Sequence, residues 1–417
     1  MKFAKYSITQ ELKDNLETLG FKSPTDIQYK SIPHILKGED VMAIAQTGTG
    51  KTAAFAIPII HKIHSKKRDS RDYGIKCLVM VPTRELAEQI SKVFIKLEEN
   101  TKVSTLCIVG GVEQEDQIKR LNHGADILVA TPGRMFDLIN QGAINLDVIE
   151  TLVLDEADQM LALGFYKDIR DVLKRIPRFH QTLFFSATIN EEIKDLAYSI
   201  VKNPIRIQIS PKDRVNKNIN HSIAFIAMDD KRFFLERIVK QNPNSKIMVF
   251  VRTKVRAERV LNAMLRVDIA SETLHGDKEQ TERTATLNRF RAGETKLLIA
   301  TDVSARGIDI DEVEYVINYD MPEVAENYVH RVGRTGRGVR KGTAVSFCAP
   351  EEKEILDEIQ EYLDGPIAVL DIDPNDYEKT IDLTSDTSKD DWKSLMKEAI
   401  NLEENFKAKP VKKKKKK

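Results

Sequence analysis

Short apolar runs recur along the chain, each followed by a polar or glycine-bearing turn and then a stretch with helical spacing. The first series comprises Val41 to Ile44, Cys77 to Val81, Thr105 to Val109, Ile127 to Val129, Leu152 to Leu154 and Leu183 to Phe185. The second comprises His221 to Ile226, Ile247 to Val251, Leu297 to Ala300, Tyr315 to Asn318 and Thr343 to Phe347. Strand-like runs alternating with helices predict an α/β fold: parallel sheets wrapped by helices, with functional loops at the carboxyl ends of the strands. Upstream, Leu12, Leu16 and Leu19 follow the helical period after a candidate cap at Thr9, and Gly20 ends that helix. Between the two series, Ser210 to Asn218 holds Pro211, several charges and two asparagines, but little that packs a core. The pattern therefore divides into a first domain at 1–209, a linker at 210–218, a second domain at 219–364 and a flexible tail at 365–417. That tail is acidic and Ser/Thr-bearing, has room for one amphipathic helix around Trp392, Met396 and Ala399, and ends in Lys412 to Lys417.

Composition changes this picture little. At 417 residues, two or three domains are expected, and 41% hydrophobic with 31% charged residues suits globular cores. The net charge of +1 hides 65 basic and 64 acidic residues, so an anionic partner has to reveal itself locally. Cys77, Cys107 and Cys348 sit inside apolar runs in no metal-ligand spacing, as buried thiols of a reducing compartment do. MKFAKYS lacks an apolar signal core and no run reaches membrane-span length, so a cytoplasmic location without membrane association is expected.

The candidate chemistry lies at the strand ends. Ala45 to Thr52, AQTGTGKT, stands between an apolar run and the helix-forming stretch Ala53 to Ile57, the context of a phosphate-binding loop. Gly48 and Gly50 let backbone N–H groups crowd around phosphate oxygens, Lys51 adds a positive charge and the Thr52 hydroxyl can ligate magnesium. Ala45 stands where the general pattern has glycine. Asp155 and Glu156 follow the Leu152 run and bring two carboxylates to the same sheet edge, Asp155 for a metal and Glu156 for the attacking water. In His330 to Arg337, HRVGRTGR, the arginines 331, 334 and 337 recur every third residue and can form one cationic face. Its anion is solvent counter-ions, a nucleic-acid phosphate or the γ-phosphate of ATP held by the other domain. The remaining turns, PTREL from Pro82, GG at Gly110, TPGR from Thr131 and TD at Thr301, offer small residues and hydroxyls with hardly an aromatic. Such turns suit phosphate and sugar contacts that do not read sequence.

Taken in order, these segments with GFKSPTDIQ from Gly20, SAT from Ser186, VFVRT, HGDKEQTER, TDVSARGID and HRVGRTGR resemble the DEAD-box family of ATP-dependent RNA helicases, over roughly Phe3 to Pro350. The resemblance implies two tandem RecA-like domains, ATP and Mg2+ as cofactors, and RNA bound across both domains without sequence preference. It implies nucleotide contacts from Phe3, Gln28, Ala45, Thr47, Gly48, Thr49, Gly50, Lys51, Thr52, Gly307 and Asp309, with Phe3 and Gln28 on the adenine. Arg334 and Arg337 would complete the catalytic set of Lys51 and Glu156, while Asp158, Ser186 and Thr188 would couple hydrolysis to strand separation. RNA contacts would come from Pro82, Thr83, Arg84, Gly110, Gly111, Thr131, Gly133, Arg134, Arg252, Gly276, Gln280, Arg283 and Thr301. The layout is most similar to the bacterial RhlE-type members, with ribosomal precursors or the RNA-degradation machinery as candidate partners. The function so implied is local, non-processive unwinding of short RNA duplexes or remodelling of RNA–protein complexes. An ATP-gated RNA clamp or annealing chaperone is the alternative.

Overall fold

The computed structural model describes residues 2–46, 48–67, 74–189, 191–209, 215–305, 313–336 and 341–385. Seven strands form the first sheet: β1 (Val41–Ala45), β2 (Cys77–Met80), β3 (Thr105–Ile108), β4 (Ile127–Ala130), β5 (Thr151–Leu154), β6 (Gln181–Ser186) and β7 (Ile205–Ile209). The second contains β8 (Ile219–Phe225), β9 (Ile247–Val251), β10 (Ser271–Leu274), β11 (Leu297–Thr301), β12 (Tyr315–Asn318), β13 (Gly342–Cys348) and β14 (Ala368–Val369). The first sheet is ordered β3-β4-β2-β5-β6-β1-β7 and the second β10-β11-β9-β12-β13-β8-β14. All pairings are parallel. Counting each sheet from its own first strand, the two orders are identical, so the chain contains the same architecture twice.

Central strands such as β2 and β9 are continuous apolar runs because both faces of each sheet are covered. Successive residues of β1 show it: Val41, Ala43 and Ala45 join one core, with Phe55, Phe94 and Phe185, while Met42 and Ile44 join the opposite one, with Leu152, Leu154 and Phe184. The second sheet is covered likewise, with Met248, Phe250 and Phe290 on one side and Ile247, Val249, Val251 and Phe347 on the other. Only the strand ends are left to do chemistry.

The structure differs from the sequence expectation where a different constraint prevailed. β7 is an edge strand with polar residues at alternate positions, and β10 is SETL, so neither reads as an apolar run. The helix after the phosphate loop spans Lys51–Lys66 and continues through Pro58. Thr9 occupies a cap position, yet its hydroxyl is buried and makes no capping hydrogen bond.

The larger correction concerns the tail. Residues past Gly365 were expected to be flexible, but β14 pairs with β8 in the place that β7 takes beside β1. The helix Pro374–Ser385 then packs along the helix Lys231–Gln241. Tyr377 stacks on Phe234 at 4.9 Å, donates to Asp230 Oδ2 at 2.8 Å and accepts from the Ala227 N–H at 3.1 Å. Arg237 donates to Thr380 Oγ1 at 2.6 Å. A short edge strand and one aromatic anchor leave little apolar periodicity for a sequence to display. The candidate helix at Trp392 and the lysine run lie outside the described residues.

Tyr377→Ala should lower the stability of the second domain by about 1–2 kcal/mol, since it removes a ring contact and two hydrogen bonds at a half-buried site. Thermal unfolding, with hydrogen exchange across Lys231–Gln241, checks this, and unchanged protection of that helix would mean that the segment does not dock.

Candidate active site

The nucleotide side of the site starts at the end of β1. Gly48 and Gly50 adopt φ of 79° and 91°, in the left-handed region, and swing the chain into the helix beginning at Lys51. A Cβ on Gly50 would stand 2.5 Å from Gln28 Nε2. That contact is structural: Gln28 Oε1 accepts from Thr25 N at 2.9 Å and its Nε2 donates to Gly50 O at 3.1 Å. Gln28 therefore ties the GFKSPTDIQ segment to the phosphate loop. Phe3 is buried 6.0 Å from the rings of both Tyr6 and Phe21, forming an aromatic wall beside that segment. Thr49 Oγ1 donates to Gln46 O at 2.8 Å and closes the loop. Ala45 is buried in β1 beside Ile209, and Thr52 lies in the first helical turn. Thr47, Gly307, Asp309 and Arg337 fall outside the described residues.

Two buried charges face this cradle. Lys51 Nζ and Glu156 Oε2 have no hydrogen-bond partner among the described residues. Glu156 takes a left-handed conformation, φ 52° and ψ 48°, rare for a residue with a Cβ, and its N–H bonds Asp155 Oδ1 at 3.0 Å. Burial pushes the Asp155 carboxyl above its ordinary range, with Lys51 opposing. Burial likewise raises Glu156 to about 7; Lys51 opposes, Asp155 adds, and Arg334 of the second domain opposes from across the interface. An unpartnered ammonium beside a glycine cradle, two desolvated acids and an arginine together fit a polyphosphate with a divalent cation. Among the described residues no group of three His, Cys, Asp or Glu side chains can enclose a metal, so a cation here would draw most ligands from phosphate and water, with Thr52 and Asp155 beside it. Asp158 Oδ2 accepts from Ala187 N, Thr188 N and Thr188 Oγ1, each at 3.2 Å, and Ser186 Oγ donates to Thr188 O at 2.7 Å. The turn after β6 is thereby latched to the helix that starts beside Glu156.

The turns at the sheet edges meet between the domains. Arg84 lies against Gly110 and Gly111; a Cβ on Gly111 would be 2.1 Å from Arg84 Nη1. Glycine there makes room for a guanidinium. Arg84 Nη1 donates to Gln280 Oε1 at 3.1 Å, and Arg283 Nε donates to Glu85 Oε1 at 3.1 Å, a second bond coming from Arg283 Nη2. Gln280 and Arg283, read from sequence as RNA contacts, here hold the two domains together, and Glu85 was missed because a lone glutamate in PTREL carries no signal of its own. Thr83 accepts from Leu86 N and caps the following helix, Pro82 is buried before it, and Thr131 stands at the cap position of Pro132–Asn140, which carries Gly133, without a side-chain capping bond. Both Arg134 Nη atoms donate to Val112 O at 3.2 Å. Arg252, Gly276 and Thr301 lie at the carboxyl ends of β9, β10 and β11. The expected cationic face of three arginines does not form, because Arg331 is fully buried. It forks onto Asp302 at 2.6 and 2.7 Å, donates to Asp320 O and covers Phe250. Arg334 is itself buried, with Nε donating to His330 O.

Residues 25–196 match the DEAD/DEAH box helicase family and residues 230–339 the helicase conserved C-terminal domain. The chain is 39% identical over 360 residues to the ATP-dependent RNA helicase CshA of Listeria monocytogenes, covering 86% of this chain and 68% of that protein. It is 38% identical over 370 residues to the DEAD-box ATP-dependent RNA helicase RhpA of Helicobacter pylori, covering 89% and 74%. Among solved structures it is similar to S. cerevisiae Dbp5 bound to RNA and ADP BeF3, at 30% identity and a TM-score of 0.80, over 92% of this chain and 98% of that one.

The raised Glu156 carboxyl sets a pH signature. A carboxyl going from 4.5 unfolded to about 7 folded binds more protons when folded, so the native state loses stability as pH rises between those values. Glu156→Gln should therefore be more stable than wild type above pH 7, on the order of 3 kcal/mol in the nucleotide-free state, with the gain vanishing below about pH 4.5. Thermal unfolding of both proteins across pH tests it; equal stability at pH 8 would show that Glu156 is not desolvated.

Proposed function

The chain belongs to the DEAD-box ATP-dependent RNA helicases, which are RNA-dependent ATPases, and from that premise we propose that it couples domain closure on ATP and RNA to local, non-processive displacement of short RNA duplexes or remodelling of RNA–protein complexes. What supports this is the juxtaposition of the two domains: the buried Lys51 and Glu156 belong to the first and the buried Arg334 to the second, and Arg84–Gln280 and Glu85–Arg283 join the domains beside them.

In this reading the backbone after Gly48 and the Lys51 ammonium bind the β- and γ-phosphates, with Phe3 and the Gln28 segment beside the base. A magnesium ion bound near Thr52 and Asp155 would supply charge neutralisation and orientation of the phosphates. Glu156 orients the attacking water and takes its proton at the carboxylate, an acceptor role that its pKa near 7 suits. Arg334, with Arg337 after it, stabilises charge developing on the γ-phosphoryl oxygens only when the domains are closed. Gly307 and Asp309, which lie outside the described residues, are assigned to the nucleotide by the family resemblance alone. The Arg84–Gln280 and Glu85–Arg283 contacts hold that closed state. RNA runs across both strand-end edges, over Pro82 to Arg84, Gly110, Gly111, Thr131 to Arg134, Arg252, Gly276, Gln280, Arg283 and Thr301, contacting backbone rather than bases. The solved relative bound to RNA and ADP BeF3 supports RNA and a nucleotide as the ligands. Asp158 with Ser186 and Thr188 couples hydrolysis to strand release, through the contacts they share.

The lysine run 412–417 adds a salt-dependent hold on RNA phosphates. Within the family we place the chain with the RhlE-type members on that basic run, although the named relatives, CshA and RhpA, do not select this subfamily. Three free cysteines, all at least partly buried, support a reducing, cytoplasmic location, and no helix among the described residues is long and apolar enough to cross a membrane. Ribosomal precursors or the RNA-degradation machinery are the proposed setting, to be tested by crosslinking RNA in cells and sequencing it.

Arg334→Ala should bind ATP within a few-fold of wild type while RNA-stimulated turnover falls by a factor on the order of 1000 or more. Steady-state ATPase with a matched RNA or DNA strand, together with displacement of a short RNA duplex, checks the proposal. Equal stimulation by DNA would make the chain a general translocase, and closure without displacement would make it a clamp.

A further inference from the structure

The strongest unassigned arrangement lies at the carboxyl edge of the second sheet. Glu352 is a buried carboxylate with four donors around it. Lys231 Nζ is 2.5 Å from Oε2, Ala349 N donates to Oε2 at 3.1 Å, Met321 N donates to Oε1 at 3.0 Å and Arg252 Nη2 donates to Oε1 at 3.2 Å. These donors follow β8, β13, β12 and β9, so one carboxylate joins four of the loops that form this edge. Its lone pairs are fully used. The backbone beneath the side chain is fixed as well: the main-chain N–H of Arg252 donates to Asp320 Oδ2 at 3.0 Å, and Asp320 in turn faces Arg256 Nε at 3.3 Å. The Arg252 side chain stays 37% exposed, and its Nε lies 3.5 Å from the exposed Glu323 carboxylate. The guanidinium is thus anchored through Nη2 on the buried Glu352 and stays reachable from solvent beside Glu323.

We propose that Glu352, neutralised by Lys231, is a positioning residue for RNA binding, which it performs by holding the Arg252 guanidinium in a phosphate-receiving orientation. The proposal rests on the reading of Arg252 as an RNA contact. Stability alone is a poor reason to retain such a pair, because a buried ion pair is often matched or exceeded by apolar residues of similar volume. An arginine fixed on one edge, by contrast, loses less freedom when it grips a phosphate, which gains affinity. Glu352 escaped notice in the sequence because EEKE, Glu351 to Glu354, reads as an ordinary solvated acidic run before a helix.

The test uses the full chain and a single-stranded RNA homopolymer, with the RNA concentration for half-maximal ATPase stimulation measured against salt. Because Glu352→Gln alone strands the buried Lys231 charge and risks misfolding, the paired variant Lys231→Met/Glu352→Gln is the primary one, and its unfolding transition is followed alongside. The half-maximal RNA concentration should rise about tenfold while turnover at saturating RNA holds within about twofold. The slope of log affinity against log salt should shrink by about 0.7, the loss of one phosphate contact on a single strand. A purely structural role would lower the unfolding temperature and leave that slope alone. Arg252→Ala should reproduce the rise, and adding the pair to Arg252→Ala should change nothing further. A rise with Arg252→Ala but not with the pair overturns the Glu352 proposal alone, as do additive effects. No rise with Arg252→Ala overturns the RNA reading of Arg252 and the Glu352 proposal with it.

Discussion

A charge removed from water without its counter-charge is costly, and the nucleotide pocket is organised around two such groups. Lys51 and Glu156 are buried and incompletely paired, and Glu156 is held in a left-handed backbone conformation besides. The first domain stores that cost in its well-packed sheet. What relieves it has to come from outside: phosphates for the lysine, and a cation and the second domain's arginine for the acids. The proposed link between domain closure and nucleotide binding rests on that electrostatics before any detailed contact is considered.

The sheets make this arrangement possible by leaving the chain no other place for it. With helices on both faces, backbone and side chains are committed along the strands, and only the carboxyl ends are free. When two sheets of the same order turn those ends toward one another, every turn at the edges is presented to the same cleft. Arg84 shows how tightly the turns are shared, since two glycines of one turn make room for a guanidinium that reaches a glutamine of the other domain.

Much of this was legible in the sequence because it depends on local composition. Central strands such as Cys77–Met80 and Ile247–Val251 are apolar throughout, so their positions show. The phosphate loop shows because glycine is needed where φ is positive. Edge elements do not: β7 alternates apolar with polar residues, β14 is two exposed residues, and the docking of Pro374–Ser385 rests largely on Tyr377. Charge runs are the least legible of all. Arg331, Arg334 and Arg337 look alike at a spacing of three, yet Arg331 is a buried brace for Asp302 while Arg334 acts on Glu156. The same holds for Glu352, whose role depends on four loops that are far apart in the chain.

The repeated strand order has one more consequence. Lys51 is the first residue of the helix after β1, and Lys231 is the first residue of the helix after β8, following connections of equal length, 46–50 and 226–230. The two lysines occupy matching places in the two sheets. In one the ammonium is unpartnered and the loop before it has glycines that admit phosphate. In the other the loop has no glycine, and an internal carboxylate sits on the ammonium as a permanent resident anion. Of two matching sockets, one is plugged by the protein itself.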